Sequence, residues 1–396
     1  MLEFAKRVQK IEPSATLTMA ARSKEMIKSG LDVISLAAGE PDWDPPQEAK
    51  DASIKAVQGG NAHYTENSGL PGLKDLIAEK LKNENAIMTL DKKNIIITAG
   101  AKFALYSALQ ALVNEGDEVL VPAPYWVSYV EQIRLAGGVP KPIVTSEDEG
   151  FKIEVDDLEK YFTPGVKGII LNYPSNPSGV TYTREELQAI GELAVKKNVF
   201  IISDEIYEYF SYTGKHVSMA SLSKEIFNNT VTINGFSKAY SMPGWRVGYA
   251  AAAPEIIKKM DEIQSHSTSN PNTIAQQACI ACLKSSRYYV EKMVMEFKVR
   301  RDYIVSALSS LHGVRCQVPD GAFYVYPNIQ YYLDKEIGGS IPVNSSDFSG
   351  ILLEKAHVSV VPGSAFGLEG YVRLSYTQPV NRLEEAVKRI RNLLDK

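Results

Sequence analysis

An amine, a carboxylate, a phenol, an amide and a guanidinium fall just beyond the ends of short apolar runs in the middle of this chain. Val199–Asp204 (VFIISD) ends on Asp204, and Tyr207 follows three residues later. Val166–Asn172 (VKGIILN) ends on Asn172 and runs into Tyr173-Pro-Ser-Asn176-Pro-Ser-Gly179. Thr230–Gly235 (TVTING) leads into Phe236-Ser237-Lys238 and then Gly244-Trp245-Arg246-Val247-Gly248. Asn94–Thr98 (NIIIT) is followed by Ala99-Gly100-Ala101-Lys102, small residues entering a helical pattern. Small residues let a backbone approach an anion, and a helix N-terminus offers free N–H groups and a favourable dipole. Taken singly, a lysine after a strand is usually solvated, and an aspartate at a strand end is usually a cap or turn residue. Gathered at one edge, the same residues provide an anion cradle, a carboxylate, an amide, a phenol, an amine and a guanidinium.

They meet only if the runs that carry them are strands of one sheet. The runs show no polar alternation, as expected of strands covered by helices on both faces. Helical patterns at Lys102–Val113, Tyr125–Leu135 and Arg184–Lys197 separate them, and Glu118–Val121 adds a further strand. This alternation predicts an α/β fold with a mostly parallel sheet, in which ligands bind beyond the carboxyl ends of the strands. The C-terminal part reads as a smaller α+β unit. A long helical stretch from about Ser286 to Leu311 precedes short strands at Val314–Val318 and Phe323–Tyr326. A helix at Ser346–Lys355, strands at Val358–Val361 and Tyr371–Tyr376, and a final helix from about Pro379 follow. The N-terminal stretch holds one helical pattern, Thr16–Lys28, and then Pro41, Pro45 and Pro46. The expected division is a large domain at 46–290 and a small domain formed by 1–45 and 291–396.

Composition removes several alternatives. The 396 residues include 43 Lys+Arg and 47 Asp+Glu, a formal net charge of −4, without the basic surplus of a protein that binds nucleic-acid backbones. Hydrophobic residues make up 44% and charged residues 23%, the balance of a globular chain able to bury a large core. No apolar run approaches the roughly 20 residues of a membrane span. Met1-Leu-Glu-Phe-Ala-Lys-Arg carries charges where a secretory leader is apolar. Three cysteines exclude a disulfide scaffold and point to a reducing, cytoplasmic setting. Cys279 and Cys282 form a CxxC inside the helical pattern Ile274–Lys284 and read as core residues. No GxGxxG follows the first strand of the sheet, and GxxxxGK(S/T), HExxH and GxSxG are absent. Nicotinamide, nucleoside-triphosphate, metal and serine-hydrolase chemistry therefore lack motif support, and no metal ligand is assigned.

The motifs resemble, in order and along nearly the whole chain, those of the class I/II pyridoxal-phosphate-dependent aminotransferases. Ser237-Lys238-Ala-Tyr-Ser-Met-Pro-Gly244-Trp-Arg246-Val-Gly248 is similar to their lysine signature. Asn176-Pro-Ser-Gly179 resembles their NP(T/S)G turn, Ser203-Asp204-Glu-Ile-Tyr207 their strand end, and Tyr371-Val-Arg373-Leu-Ser-Tyr their R-(L/I)-S segment. Ala38-Gly39-Glu-Pro-Asp42 and Tyr64-Thr-Glu-Asn-Ser-Gly69-Leu-Pro-Gly72-Leu match two further family loops. Within the family, the pattern resembles the prokaryotic aspartate (aspartate/prephenate) aminotransferase subgroup.

The resemblance implies the transferase fold type I, with a mostly parallel seven-stranded sheet in the large domain and a smaller α+β domain. It implies pyridoxal 5'-phosphate as cofactor, amino-acid and 2-oxo-acid substrates, and a homodimer with shared active sites. Lys238 would form a Schiff base with the cofactor aldehyde and, once displaced by substrate, move the α-proton. Asp204 would keep the pyridine nitrogen protonated, Asn176 and Tyr207 would bond the ring oxygen, and Trp126 would stack on the ring. The phosphate would lie on the amides of Ala101 and Lys102, with Ser237, Arg246 and the Tyr64 of a second copy. Arg373 would clamp the substrate α-carboxylate, with Gly39 and Asn176 nearby.

Departures bear on substrate choice. In animal-type aspartate aminotransferases a second-subunit arginine binds the distal carboxylate, but the matching stretch here, Gln264–Asn272, contains none. In the subgroup this chain resembles, the lysine at the place of Lys102 does that work, and Ser14 and Thr16 are expected to complete the pocket. Pro243 and Ser178 replace residues more usual in the family, with no loss of function expected. The expected activity moves the amino group of aspartate or glutamate to 2-oxoglutarate or oxaloacetate by a ping-pong route. An aromatic, kynurenine-type or prephenate aminotransferase is the alternative, with Tyr125 and Tyr129 able to accommodate a ring. A lyase of the same fold and a cofactor-binding sensor without turnover are more distant rivals, the sensor disfavoured because Lys238, Asp204 and Arg373 are all present.

Overall fold

A computed structural model describes residues 2–88, 90–285 and 287–395. Its centre is a seven-stranded sheet. In spatial order the strands are Ile95–Thr98, Gly248–Ala251, Thr230–Gly235, Phe200–Asp204, Val166–Asn172, Glu118–Ala123 and Val139–Val144. Gly248–Ala251 is antiparallel to both its neighbours, and the other strands share one direction. The carboxyl ends of Ile95–Thr98, Val166–Asn172, Phe200–Asp204 and Thr230–Gly235 therefore lie along one edge.

The uninterrupted apolar runs have a direct cause. Ile170, Ile202, Val231 and Ile233 pack on one face with Leu105 and Leu109 of the Ala101–Leu112 helix. Ile169, Leu171 and Ile201 pack on the other with Leu187 and Ile190 of the Arg184–Lys196 helix. Both alternating sets are apolar because both faces are covered. Of this sheet, sequence reasoning left out the strand Gly248–Ala251 and, at the far edge, Val139–Val144. Its Pro140 and Pro142 argue against a central strand, and the sheet tolerates them because this strand stands at the edge. Cys279 and Cys282 are free and buried in the core.

The expected C-terminal helix spans Tyr288–Ser309; Ser286, where it was expected to begin, lies outside the described residues. Val314–Val318 forms no strand. Arg315 makes only an isolated bridge to Asn328, and Pro319, directly after Val318, has no N–H for a ladder. Val358–Val361 serves two sheets. Val358–Ser359 pairs in parallel with Ile34–Ser35, and Val361–Pro362 pairs with Val372–Ser375, which also pairs with Tyr324–Val325. The first pairing ties the N-terminal segment, and with it the Gly39 loop, to the C-terminal elements. Leu36, Tyr207, Phe210, Phe297, Phe323 and Tyr324 share one buried cluster, so the same packing reaches the sheet edge. Among the described residues no helix is long and apolar enough to cross a membrane.

Beyond the Asp204 strand end, the buried Glu208 accepts hydrogen bonds from Lys80, from Asn85 Nδ2 at 2.6 Å and from Asn234 Nδ2 at 2.8 Å. Glu208→Ala leaves the buried Lys80 ammonium without its counter-ion. The expected loss of unfolding free energy is about 3 to 5 kcal/mol in urea titrations. A Lys80→Met/Glu208→Leu pair, which removes both charges, is expected to cost less.

Candidate active site

The sheet edge opens on a cavity of about 320 Å3 lined by residues that are far apart in sequence. Lys238, Asp204, Tyr207, Asn176, Arg373 and Trp126 all face it. So do Gly39, Ala101, Lys102, Ser237 and Arg246, together with Thr16 from the N-terminal helix. Tyr64 does not line the cavity and is 90% exposed. Ser14 and Tyr125 line a neighbouring pocket instead.

Lys238 follows the Thr230–Gly235 strand, and its Nζ donates to the Gly39 carbonyl at 2.5 Å. Loss of solvation on burial pushes its pKa down to about 8; Glu40 opposes this, and the charges of Arg373 and Arg246 reinforce it. Asp204 closes its strand. Its Oδ2 accepts from the Tyr129 hydroxyl at 2.7 Å, and its carbonyl accepts from Asn172 Nδ2 at 2.9 Å. Burial pushes the carboxyl up to about 6, against the pull of the Tyr129 hydrogen bond. The next residue, Glu205, anchors the bend by accepting from Ser203 Oγ and Ser218 Oγ, each at 2.8 Å.

Arg373 is fully inside, at 2% exposure. Its Nη1 donates to Asn176 Oδ1 at 2.8 Å and its Nη2 to the Ala37 carbonyl at 2.7 Å. The guanidinium lies 4.5 Å from the Tyr324 ring centroid and 5.0 Å from that of Phe366. Among the described residues no carboxylate pairs with it, and its Nε has no hydrogen-bond partner. A buried cation held only by neutral acceptors is suited to an anionic ligand. The Asn176 amide donates to Asn172 Oδ1 at 2.8 Å, which fixes the turn that presents it.

The anion cradle forms where Ile95–Thr98 passes into the Ala101–Leu112 helix. Phe103 is the first residue of that helix to donate back, to the Gly100 carbonyl at 3.0 Å. The Ala101 and Lys102 amides precede it and are left for a ligand. Glycine is required on both sides. A Cβ on Gly100, at φ +84°, would lie 2.4 Å from Arg246 Nη2, and one on Gly248 would lie 2.2 Å from the Ala101 nitrogen. Arg246 is anchored through Nη1 to the Pro243 carbonyl at 2.9 Å. Lys102 Nζ stands 4.8 Å from the Trp126 ring centroid, and burial, then Arg246, lower its pKa.

Sequence reasoning missed two contributions. Tyr129 was read as a wall for aromatic rings, yet its hydroxyl bonds Asp204. Tyr324 lies in the expected Phe323–Tyr326 strand but has no role assigned from sequence, and its hydroxyl lies 2.9 Å from that of Tyr207. Nothing local marks either residue, because their partners are 75 and 117 positions away.

An amine, a carboxylate and a guanidinium without a carboxylate partner thus line one cavity at the carboxyl edge of an α/β sheet, beside helix-start amides suited to an anion. The model of the family aminotransferase class I and II matches residues 31–390. The chain belongs to this family and is an aminotransferase. It is 46% identical over 396 residues to the aspartate aminotransferase of Geobacillus stearothermophilus, covering 100% of this chain and 99% of that protein. It is 44% identical over 395 residues to a probable aspartate/prephenate aminotransferase of Aquifex aeolicus, covering 99% and 98%. The aspartate aminotransferase structure from Rhizobium meliloti matches with a TM-score of 0.95 at 38% identity, covering 100% and 99%. That of Thermus thermophilus with maleate matches with a TM-score of 0.94 at 38% identity, covering 100% of both chains.

Burial disfavours the charged form of Lys238, so its free amine is present at lower pH than that of a surface lysine. In cofactor-free protein an amine-directed reagent should label Lys238 with a midpoint at pH about 8, measured by peptide mass spectrometry. Surface lysines should follow near pH ~10.4; labelling of Lys238 together with them would contradict the proposed burial effect.

Proposed function

We propose that this aminotransferase uses pyridoxal 5'-phosphate to move the amino group of aspartate or glutamate to 2-oxoglutarate or oxaloacetate by a ping-pong route. The observation that carries the reading is the buried Arg373, with an unpartnered Nε, in the same cavity as Lys238 and Asp204. The donor set fits the cofactor. The amides of Ala101 and Lys102, with Ser237 and Arg246, suit a phosphate; Asp204 suits a protonated ring nitrogen; Asn176 and Tyr207 suit the ring oxygen; and Trp126 suits the ring face. When bound, the cofactor supplies an aldehyde carbon for an amine and a ring that takes up an electron pair from the substrate α-carbon.

Lys238 would hold that aldehyde through its Nζ, and the same Nζ, when free, would carry the proton taken from the substrate α-carbon. An amine with a pKa near the working pH suits both directions of that transfer. Asp204 would pair through its carboxylate with a protonated ring nitrogen. Arg373 binds the α-carboxylate and, with Gly39 and Asn176 nearby, orients the Cα–H bond toward Lys238. Lys102 and Thr16 read the distal carboxylate; Thr16 Oγ1 is buried without a partner in the same cavity.

Tyr64 stands away from its own cavity, which supports a homodimer in which it serves the phosphate of a second copy. Ile54 and Val57, 55% and 61% exposed on the Gln47–Gln58 helix, offer apolar surface for that contact. Division at 46–290, against 1–45 with 291–396, is the reading under which the Gly39 loop and Arg373 belong to the smaller lobe. The free cysteines support a cytoplasmic setting. An aromatic or prephenate range is the second reading, favoured by the Trp126 and Tyr129 rings in the wall.

Lys238→Ala should lower transamination by at least about 10³-fold at saturating substrate; turnover near wild type would reject the mechanism. Lys102→Ala separates the two substrate readings. Its kcat/KM should fall about 10- to 100-fold with aspartate and change little with phenylalanine. Equal losses would mean that Lys102 reads no distal carboxylate.

A further inference from the structure

Tyr207 and Tyr324 are both buried, with their rings edge to face at 84° and their hydroxyl oxygens 2.9 Å apart. Among the described residues, each hydroxyl has the other as its only hydrogen-bond partner. Two phenols bring two hydrogens, and only one can lie between the two oxygens. The second must point elsewhere, and its direction depends on which phenol donates. Gly39 closes one side of Tyr324 so tightly that a Cβ there would lie 2.4 Å from the Tyr324 hydroxyl oxygen. Beside the Tyr324 ring lies the Arg373 guanidinium, which has donors but no acceptor to offer. Both phenols line the cavity, and Tyr207 lies on the side of Lys238, whose Nζ is 5.9 Å from the Tyr207 ring centroid.

We propose that Tyr324 is a positioning residue for both ends of the site: its hydroxyl donates to Tyr207, turning the Tyr207 hydrogen into the cavity, and its ring supports Arg373. The inference rests on the pyridoxal-phosphate reading above. A phenol that accepts a hydrogen bond is a stronger donor through its own hydrogen, so Tyr324 strengthens the bond Tyr207 makes to the cofactor's ring oxygen. That bond holds negative charge on the oxygen and weakens the grip on a proton at the nitrogen Lys238 contributes. The ring acts separately: its face lies against the guanidinium and keeps it aligned for a carboxylate. One side chain thereby connects the proton-transfer end of the site with the carboxylate-binding end, through two different atoms groups that can be removed one at a time.

The test compares wild type, Tyr324→Phe and Tyr324→Leu as holoenzymes. Visible absorbance against pH reads the proton on the Lys238 nitrogen, and perturbation of the same absorbance by succinate reads the carboxylate site. Phe keeps the ring and loses the hydroxyl. Its absorbance midpoint should rise by about half to one pH unit, with succinate affinity within about twofold of wild type. Glu40, Asp204, Arg246 and Arg373, the charged groups that act on Lys238, remain in place in that variant. Leu loses both parts, and succinate binding should weaken about tenfold in addition. A Phe variant titrating at the wild-type midpoint would overturn the proposal, even if its thermal stability fell, since a merely structural hydroxyl moves stability and not the midpoint. Equal succinate losses in Phe and Leu would overturn the role of the ring. If Leu does not fold, the Phe titration decides alone. A wild-type protein that gains no pH-dependent visible absorbance on addition of pyridoxal phosphate would instead refute the cofactor reading on which the inference rests.

Discussion

Lys238, Asp204 and Arg373 share one small cavity here, and the site depends on their not neutralising one another. Lys238 donates to the carbonyl of Gly39 rather than to a carboxylate. Asp204 accepts from the phenol of Tyr129 rather than from a cation. Arg373 is held by an amide oxygen and a backbone carbonyl. Neutral partners fix the geometry of each group and leave its charge available to a ligand. Burial then sets the chemistry: it lowers the lysine toward neutral pH and raises the aspartate, because each charged form loses solvation.

Such an arrangement has to be built from rigid parts. The carboxyl ends of adjacent strands lie at fixed spacing, and Asn172 and Asp204 are register partners across two of them. Gly248 is the partner of both Thr98 and Gly235, which brings the Ala101 helix start beside the segment that carries Lys238 and Arg246. Behind the edge, Glu205 and Glu208 use their carboxylates on interior donors and hold the chain bend after Asp204. The N-terminal loop is brought in by the pairing of Ile34–Ser35 with Val358–Ser359. The carbonyl that meets Lys238 thus depends on a contact between the two ends of the chain.

Much of this was legible before any coordinates. Strands covered on both faces announce themselves as unbroken apolar runs, and Phe200–Asp204 and Thr230–Gly235 appear within a residue of their expected bounds. Val139–Val144 was not legible, because prolines that exclude a central strand are tolerated at an edge. Val314–Val318 was over-read, because apolar composition alone does not provide a neighbour to pair with. At the cavity, residues with a local motif around them, from Lys238 to Arg373, come together as lining. Tyr129 and Tyr324 lack such a motif, and their parts in the site come from hydroxyl contacts across the fold.

The sequence by itself determined the order of the elements, the side chains delivered at each strand end and the family to which they belong. Those properties reside in apolar pattern, turn chemistry and motif, all local along the chain. Only the tertiary structure decided which neutral partner holds each charged group, that Arg373 Nε is left without a partner and that Tyr64 stands outside its own cavity. Hydrogen bonding and desolvation depend on distances between atoms remote in sequence, and packing alone sets those distances.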